Sequence, residues 1–225
     1  MVKRTIQSSK PGFSIGVEHD LHGIRGARLA LDGRGGYTIE KLEEVTGNFL
    51  EDGKLLDGLR QLKDKLLPLQ RDAVVACLSG KQVYAAQMEF RHLAPEEMEQ
   101  ALRLELRKTV HFEVATATLD YQVLSNENGL GGKSQILLAL AGNSLLTKET
   151  QVMERAGLKP TAVDVLAIAV ANALWTWNDG AAGAAPLVAL HVGPQVSTIV
   201  INGEESPFFH RNILLLKMPW VKIQI

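Results

Sequence analysis

Apolar residues recur along this chain in two alternating periods, and the changes of period mark the elements. Three strand-length runs come first. Phe13 to Glu18 is short and mostly apolar, Ile24 to Leu31 is flanked by turn residues, and Tyr37 to Val45 follows the turn signal Asp32-Gly33-Arg34-Gly35-Gly36. They predict a three-stranded meander. Leu55, Leu56, Leu59, Leu62, Leu66 and Leu67 then recur at helical spacing among Lys, Asp, Arg and Gln, the mark of an amphipathic helix. Pro68 closes it, because proline has no amide to donate and clashes with the preceding turn. Ala73 to Leu78 is a continuous apolar run, which suits a strand covered on both faces.

A segment of different character follows. Gln82 to Phe90 reads as a strand. Pro95 opens a helix over Glu96 to Val110, with Met98, Leu102 and Leu106 on one face, and Thr118 to Leu124 reads as another strand. Proline is favoured in a first helical turn, where its missing amide has no partner to lose. This predicts a small strand-helix-strand lobe, closed by the polar loop Ser125 to Ser134. The main pattern is then expected to resume with a strand over Gln135 to Ala141. A helix over Leu145 to Ala156 comes next, ended by Gly157 with Pro160 beyond. After a short extended piece over Thr161 to Val165, Leu166 to Trp177 is apolar nearly all round, which predicts a buried helix.

The run from Asn178 to Pro186 is small and flexible in composition and reads as a linker. A second meander starts after it: Leu187 to Val192, Val196 to Ile201, the hairpin signal Asn202-Gly203, and Ser206 to Arg211. Strands alternating with helices predict an α/β protein. The restart after the linker predicts duplication. The expected organisation is a first half over 1–177 with an inserted lobe at about 80–134, a linker over 178–186, and the start of a second half over 187–225.

Composition narrows the chemistry. The formal net charge of −1 in 225 residues gives no pull towards nucleic acid or acidic lipid, and Lys and Arg are dispersed without interleaved aromatics. The single cysteine, Cys77, lies in the run Ala73 to Leu78 and reads as a buried small hydrophobe. No apolar run reaches the roughly 20 residues a membrane helix needs. The start Met1-Val2-Lys3-Arg4 lacks a following apolar segment, which points to the cytoplasm. Glu18-His19-Asp20-Leu21-His22 is rich in potential ligands but reads as a solvated turn. His111-Phe112-Glu113 reads as a helix-ending loop. No Ser/His/Asp or Cys/His set has a recognisable spacing.

Several motifs in order resemble the PilM family of the actin-like ATPase superfamily. Phe90-Arg91-His92-Leu93, Glu96-Glu97-Met98, Ala101 to Glu105 and Leu119 to Leu124 are similar to that family's extra lobe. Ala156 to Pro160 with Val163-Asp164-Val165, and Phe208 to Arg211, are two further matches. The resemblance runs from about Phe13 to Leu214. It implies an actin-like, ribonuclease H-like α/β fold: a mixed sheet flanked by helices, with an inserted small lobe and, here, an incomplete second half. By this comparison the tail Leu214 to Ile225 does not match, and truncation is expected.

The resemblance also frames a nucleotide question. Actin-like proteins hold phosphates on two β-turns, which need small residues so that backbone amides can reach the phosphate. The family's first turn resembles Asp-x-Gly-Ser-Ser-Ser-x-Lys. Here it is Glu18 to Arg25, with Asp20 where the glycine stands. Glu18, Gly23 and Arg25 are its surviving candidates. The second resembles Asp-x-Gly-x-x-x-Thr. Here His191 replaces the aspartate and Pro194 removes an amide, leaving Gly193, Ser197 and Thr198. ATP and Mg²⁺ binding are therefore disfavoured, and no catalytic or metal site is expected.

The function the resemblance implies is a scaffold of type IV pilus assembly, cytoplasmic and peripheral to the inner membrane. It would bind the N-terminal tail of a PilN-like inner-membrane partner in a cleft between the main body and the extra lobe. The region around Val83 to Phe90 and the helix Glu96 to Val110 are the expected contacts. An active actin-like ATPase and the cytoplasmic region of a type II secretion GspL protein are the alternatives. Other pilus inner-membrane components are expected partners; nucleic acid and a direct membrane span are not.

Overall fold

The computed structural model describes residues 13–31, 36–126, 132–177, 186–194, 196–202 and 208–214. The first meander forms as expected, from β1 (Phe13–His19), β2 (Gly23–Leu31) and β3 (Tyr37–Thr46). β2 runs antiparallel to both neighbours, and β4 (Ala73–Leu78) lies parallel to β1. β8 (Ala162–Val165) lies parallel to β4 and completes a five-stranded mixed sheet in the order β3-β2-β1-β4-β8.

One face of this sheet is covered by α1 (Asp52–Leu66) and α3 (Asn143–Arg155). The leucine spacing of α1 brings Leu59, Leu62 and Leu66 to complete burial against Ile15, Ile24 and Met153. Burial contributes about 1.5–3 kcal/mol for each such side chain. Leu67 ends α1 at φ 52, its amide donating to the Lys63 carbonyl at 2.9 Å. The buried Arg28 caps the same end, its Nη1 donating to the carbonyls of Leu66 (3.2 Å) and Leu67 (3.0 Å), while Nη2 faces Asp72 at 3.4 Å. A cation there also meets the negative end of the helix dipole. Gly157, at φ 82, ends the α3 segment as expected.

The lobe is a separate module with its own core. β5 (Val83–Arg91), β6 (Ala117–Asn126) and β7 (Lys133–Gly142) form an antiparallel sheet in the order β5-β7-β6. α2 (Pro95–Leu106) covers one face, packing Met98, Leu102 and Leu106 on Ile136, Leu138 and Leu140. Two expectations are corrected here. Gln135 to Ala141 does not resume the main sheet. It is part of β7, the middle strand of the lobe, so the module runs past 134 to Gly142. A doubly apolar run says that both faces are covered, and is silent on which sheet it joins. The lobe helix also stops at Leu106, short of Val110.

A third cluster forms where the lobe, the main sheet and the second meander meet. Leu78, Val83, Ala85, Ala141, Val165, Ala167 and Ala171 pack with Val200 and Phe208. The second meander is β9 (Leu187–His191), β10 (Val196–Asn202) and β11 (Phe209–Leu214), in the order β11-β10-β9. α4 (Leu166–Trp177) packs on β10. It is not buried throughout. Asn172, Ala173, Trp175 and Thr176 are exposed, because the described neighbours cover its first half. Residues 178–185 of the expected linker and 215–225 of the expected tail lie outside the described residues, as do the turn over 203–207 and most of the turn after β2.

Candidate functional site

The two expected phosphate turns are built on the same register. Glu18 pairs with Arg25 across β1 and β2, and His191 pairs with Thr198 across β9 and β10, with six residues between the partners in each hairpin. The turns are therefore equivalent pieces of two related meanders. Their side chains are deployed differently.

In the first turn Asp20 acts on its own backbone. Its Oδ1 accepts from the amides of His22 at 2.6 Å and Gly23 at 2.9 Å. This is the Asx turn that aspartate favours, and Asp20-Leu21-His22-Gly23 was its signal in the sequence. Arg25 is shared among three carboxylates: Asp20 at 2.9 Å, Glu18 at 3.2 Å and Glu44 at 2.9 Å. Burial pushes the Asp20 carboxyl up, but the two amides and the Arg25 guanidinium outweigh it and hold the group below its ordinary value of 3.8. Burial pulls the Arg25 guanidinium down, and its bonds to Asp20 and Glu18 more than reverse that. His19 turns away to Glu149 of α3 at 2.6 Å. Among the described residues no three ligating side chains converge on a metal position.

These groups belong to a row across the sheet. Glu44, Arg25 and Glu18 are successive register partners, Cys77 pairs with Asp164, and the Val17–Ala76 pairing sets Glu18 beside Cys77. The row lies towards the C-terminal ends of β1, β4 and β8, where open α/β sheets commonly place ligands. Burial, with the Asp164 and Glu18 charges behind it, pushes the Cys77 thiol up to about 12. A thiol held that high is a poor nucleophile.

In the second turn Gly193 is buried, and a Cβ there would lie 2.5 Å from the Val196 carbonyl oxygen. Close packing of the turn alone therefore demands glycine. Ser197 and Thr198 are buried, and the Thr198 hydroxyl donates to Asn212 Oδ1 at 2.8 Å.

A groove of about 470 Å³ lies between the main sheet and the lobe. The lobe contributes Asp120, Tyr121 and Gln122 of β6 and Leu137 of β7; the body contributes Val163 and Asp164 of β8 with Ile168 and Asn172 of α4. Its charged lining residues are Asp120 and Asp164. β6 and β8 are the edge strands of their sheets. The groove is not lined by Val83 to Phe90 or by α2, where contacts were expected. Val83 and Ala85 of β5 pack instead with Leu78 and Val165 of the body, and α2 covers the opposite face of the lobe. The motif Leu119 to Leu124, similar to the family's lobe, was the sequence signal nearest to this wall.

The fold is that of actin-like ATPases, an α/β class with a mixed sheet and flanking helices. The chain belongs to the PilM family: the family model described as type IV pilus assembly protein PilM matches residues 25–215. The structure is similar to a solved PilM–PilN type IV pilus biogenesis complex, with TM-score 0.76 and 19% identity, over 92% of this chain and 62% of that one. The chain thus spans less than two thirds of that relative. It is also similar to the cytoplasmic domain of EpsL, an inner-membrane component of the type II secretion system of Vibrio cholerae, with TM-score 0.56 and 11% identity, covering 90% of this chain and 71% of that one. A Bacteroides thetaiotaomicron protein with an actin-like ATPase fold and unknown function matches with TM-score 0.50 and 10% identity, covering 92% and 72%. No curated protein matches the chain. Among the described residues no helix is long and apolar enough to cross a membrane.

Proposed function

We propose that this chain is a cytoplasmic scaffold of type IV pilus assembly that takes the N-terminal tail of a PilN-like inner-membrane partner. The tail lies in the groove between the lobe and the main sheet and brings the scaffold to the membrane, where it meets other pilus components. The observation that carries this is the groove itself, with a strand on each side that pairs on that edge with no other strand among the described residues. An extended peptide can add to such an edge by main-chain hydrogen bonds, while side chains enter the apolar floor. Family membership and the likeness to a PilM–PilN complex support the choice of partner.

The scaffold works without nucleotide. A polyphosphate at the first turn needs amides and a cation, and here Asp20 already holds the amides while three carboxylates hold Arg25. An acidic group facing phosphate repels it by about 1 kcal/mol per close pair even in water. In the second turn Pro194 brings no amide.

A synthetic PilN-like tail titrated calorimetrically into the whole chain should bind saturably, and Tyr121→Ala and Ile168→Glu should each weaken it several-fold. A folded sample that ignores the tail ends this reading. Millimolar Mg·ATP should leave the melting temperature unchanged, since only a ligand of the native state raises it; a clear rise would restore the ATPase reading.

A further inference from the structure

The lobe is joined to the body by two adjacent crossings. The chain enters it between Leu78 of β4 and Val83 of β5, and leaves it between Gly142 of β7 and Asn143 of α3. The Gly142 amide donates to the Gln82 carbonyl at 2.9 Å, so the crossings lie side by side. Gly80, in the first crossing, is at φ 117, which favours glycine, and a Cβ there would meet nothing within 4 Å. Two short crossings of this kind make a hinge. Contacts elsewhere must then fix the angle at which the lobe stands.

One such contact comes from the second meander. The Phe208 amide, just before β11, donates to Gln87 Oε1 of β5 at 3.0 Å. The Phe208 side chain is buried in the cluster shared by lobe and body, and His210 of β11 meets the Tyr84 ring. The groove lies on the same face of the lobe sheet. Register sets Gln87, Leu137 and Gln122 in one row, and Ala85, Ala139 and Asp120 in a parallel row two residues away. In both rows the β5 residue belongs to the junction, and the β6 residue lines the groove. Leu137 and Ala139, between them, do both: they pack against the cluster that holds Val200 and Phe208, and they line the groove.

We propose that Gln87 is a positioning residue through which the second meander sets the groove, so that tail binding and the β5–β11 contact stabilise each other. This rests on the groove reading above. Two states of the lobe are involved. In one, Gln87 holds the Phe208 amide and the lobe sets Leu137 and Gln122 across from Val163 and Ile168. In the other, that bond is broken, the lobe turns on its crossings and the two walls part. A tail that spans both walls binds the first state better and therefore favours it. Breaking the bond must weaken the tail by the factor through which the tail strengthens the bond. Gln87 is not among the residues lining the groove, so its effect is not a direct contact with the tail.

The test uses the whole chain, the synthetic PilN-like tail, and hydrogen exchange of the Phe208 amide read by NMR, which reports the opening of this one bond. Without tail, Gln87→Leu should speed that exchange about ten-fold or more. Gln87→Glu keeps an oxygen for the amide and should leave exchange within about two-fold of native. Saturating tail should slow the exchange about three- to ten-fold in the native protein, and Gln87→Leu should weaken the tail by a similar factor. Gln87→Glu should restore the affinity. His210→Ala strikes the same contact from β11, should act as Gln87→Leu does, and serves if that variant fails to fold. A Gln87 that only supports the fold would cost stability without changing the response of Phe208 to the tail. A tail that binds native and Gln87→Leu protein equally, or binds and leaves Phe208 exchange unchanged, overturns the coupling and leaves the groove reading standing. A tail that binds neither protein overturns both.

Discussion

Arg28 shows how one side chain can hold three elements. It lies on β2, closes the carbonyl end of α1, and pairs with Asp72, whose Oδ2 also accepts from the Leu69 amide at 2.8 Å. Its guanidinium carbon sits 4.1 Å from the centre of the Phe13 ring. Removing one partner of a buried pair strands the other, which costs roughly 3–5 kcal/mol. Arg28→Ala should lower unfolding stability by about 2–4 kcal/mol in urea titration, and Asp72→Leu combined with Arg28→Leu should recover part of it. Asp20 gives a second residue-scale test. Its carboxyl is held low in the folded state, so its contribution is present above about pH 4 and fades as pH falls through the folded value. The stability gap between native protein and Asp20→Asn should be open at pH 7 and shrink below pH 3.8; a gap that stays constant would refute the ionic account. The Arg28 arrangement was not legible beforehand, because a lone Arg in a strand carries no sign of the carbonyls that tertiary contact brings to it. The Asx turn of Asp20 is local, and its signal stood in Asp20-Leu21-His22-Gly23.

Among the elements, β11 joins the second meander to the lobe. His210 of β11 stacks on Phe208, centroids 5.7 Å apart, and meets the Tyr84 ring of β5 edge-on at 6.2 Å. Burial lowers the His210 pKa from its ordinary 6.5. The unfolded chain therefore takes a proton on this ring before the folded one does, and stability falls as pH drops below about 6.5. Thermal melts from pH 7.5 to 5.5 should show a steeper fall for the native protein than for His210→Gln; equal slopes would remove His210 from the junction. At this scale the sequence was a good guide to local type. The leucine spacing of α1, the proline opening α2 and the glycine ending the α3 segment each act where the element itself forms. It misled on membership. The apolar run within β7 looked the same whether it served the main sheet or the lobe, and α4 looked buried along a length that is half exposed.

For the whole molecule, the groove is the feature with most consequence, and it exists only where the lobe meets the main sheet. Its two aspartates predict a tail carrying a cation. Replacing the Lys and Arg of a binding tail by Ala should weaken it about three- to ten-fold at low salt, and Asp164→Asn or Asp120→Asn should act in the same direction. The difference should shrink at high ionic strength, because salt screens exposed charges beyond roughly 10 Å at 0.1 M. Calorimetry that shows equal affinity for charged and neutral tails would place recognition in the apolar floor instead.

The sequence by itself determined the alternation of strands and helices, the presence of an inserted module and the repeat of the meander. Those rest on period, turn chemistry and capping, which act over a few residues. The tertiary fold alone settled which sheet each apolar strand joins, that Glu44 joins Glu18 at Arg25, and that β6 and β8, edge strands among the described residues, line one groove. Each of these depends on which distant groups burial brings within hydrogen-bond or van der Waals reach, and a linear pattern of apolar and polar positions does not encode that.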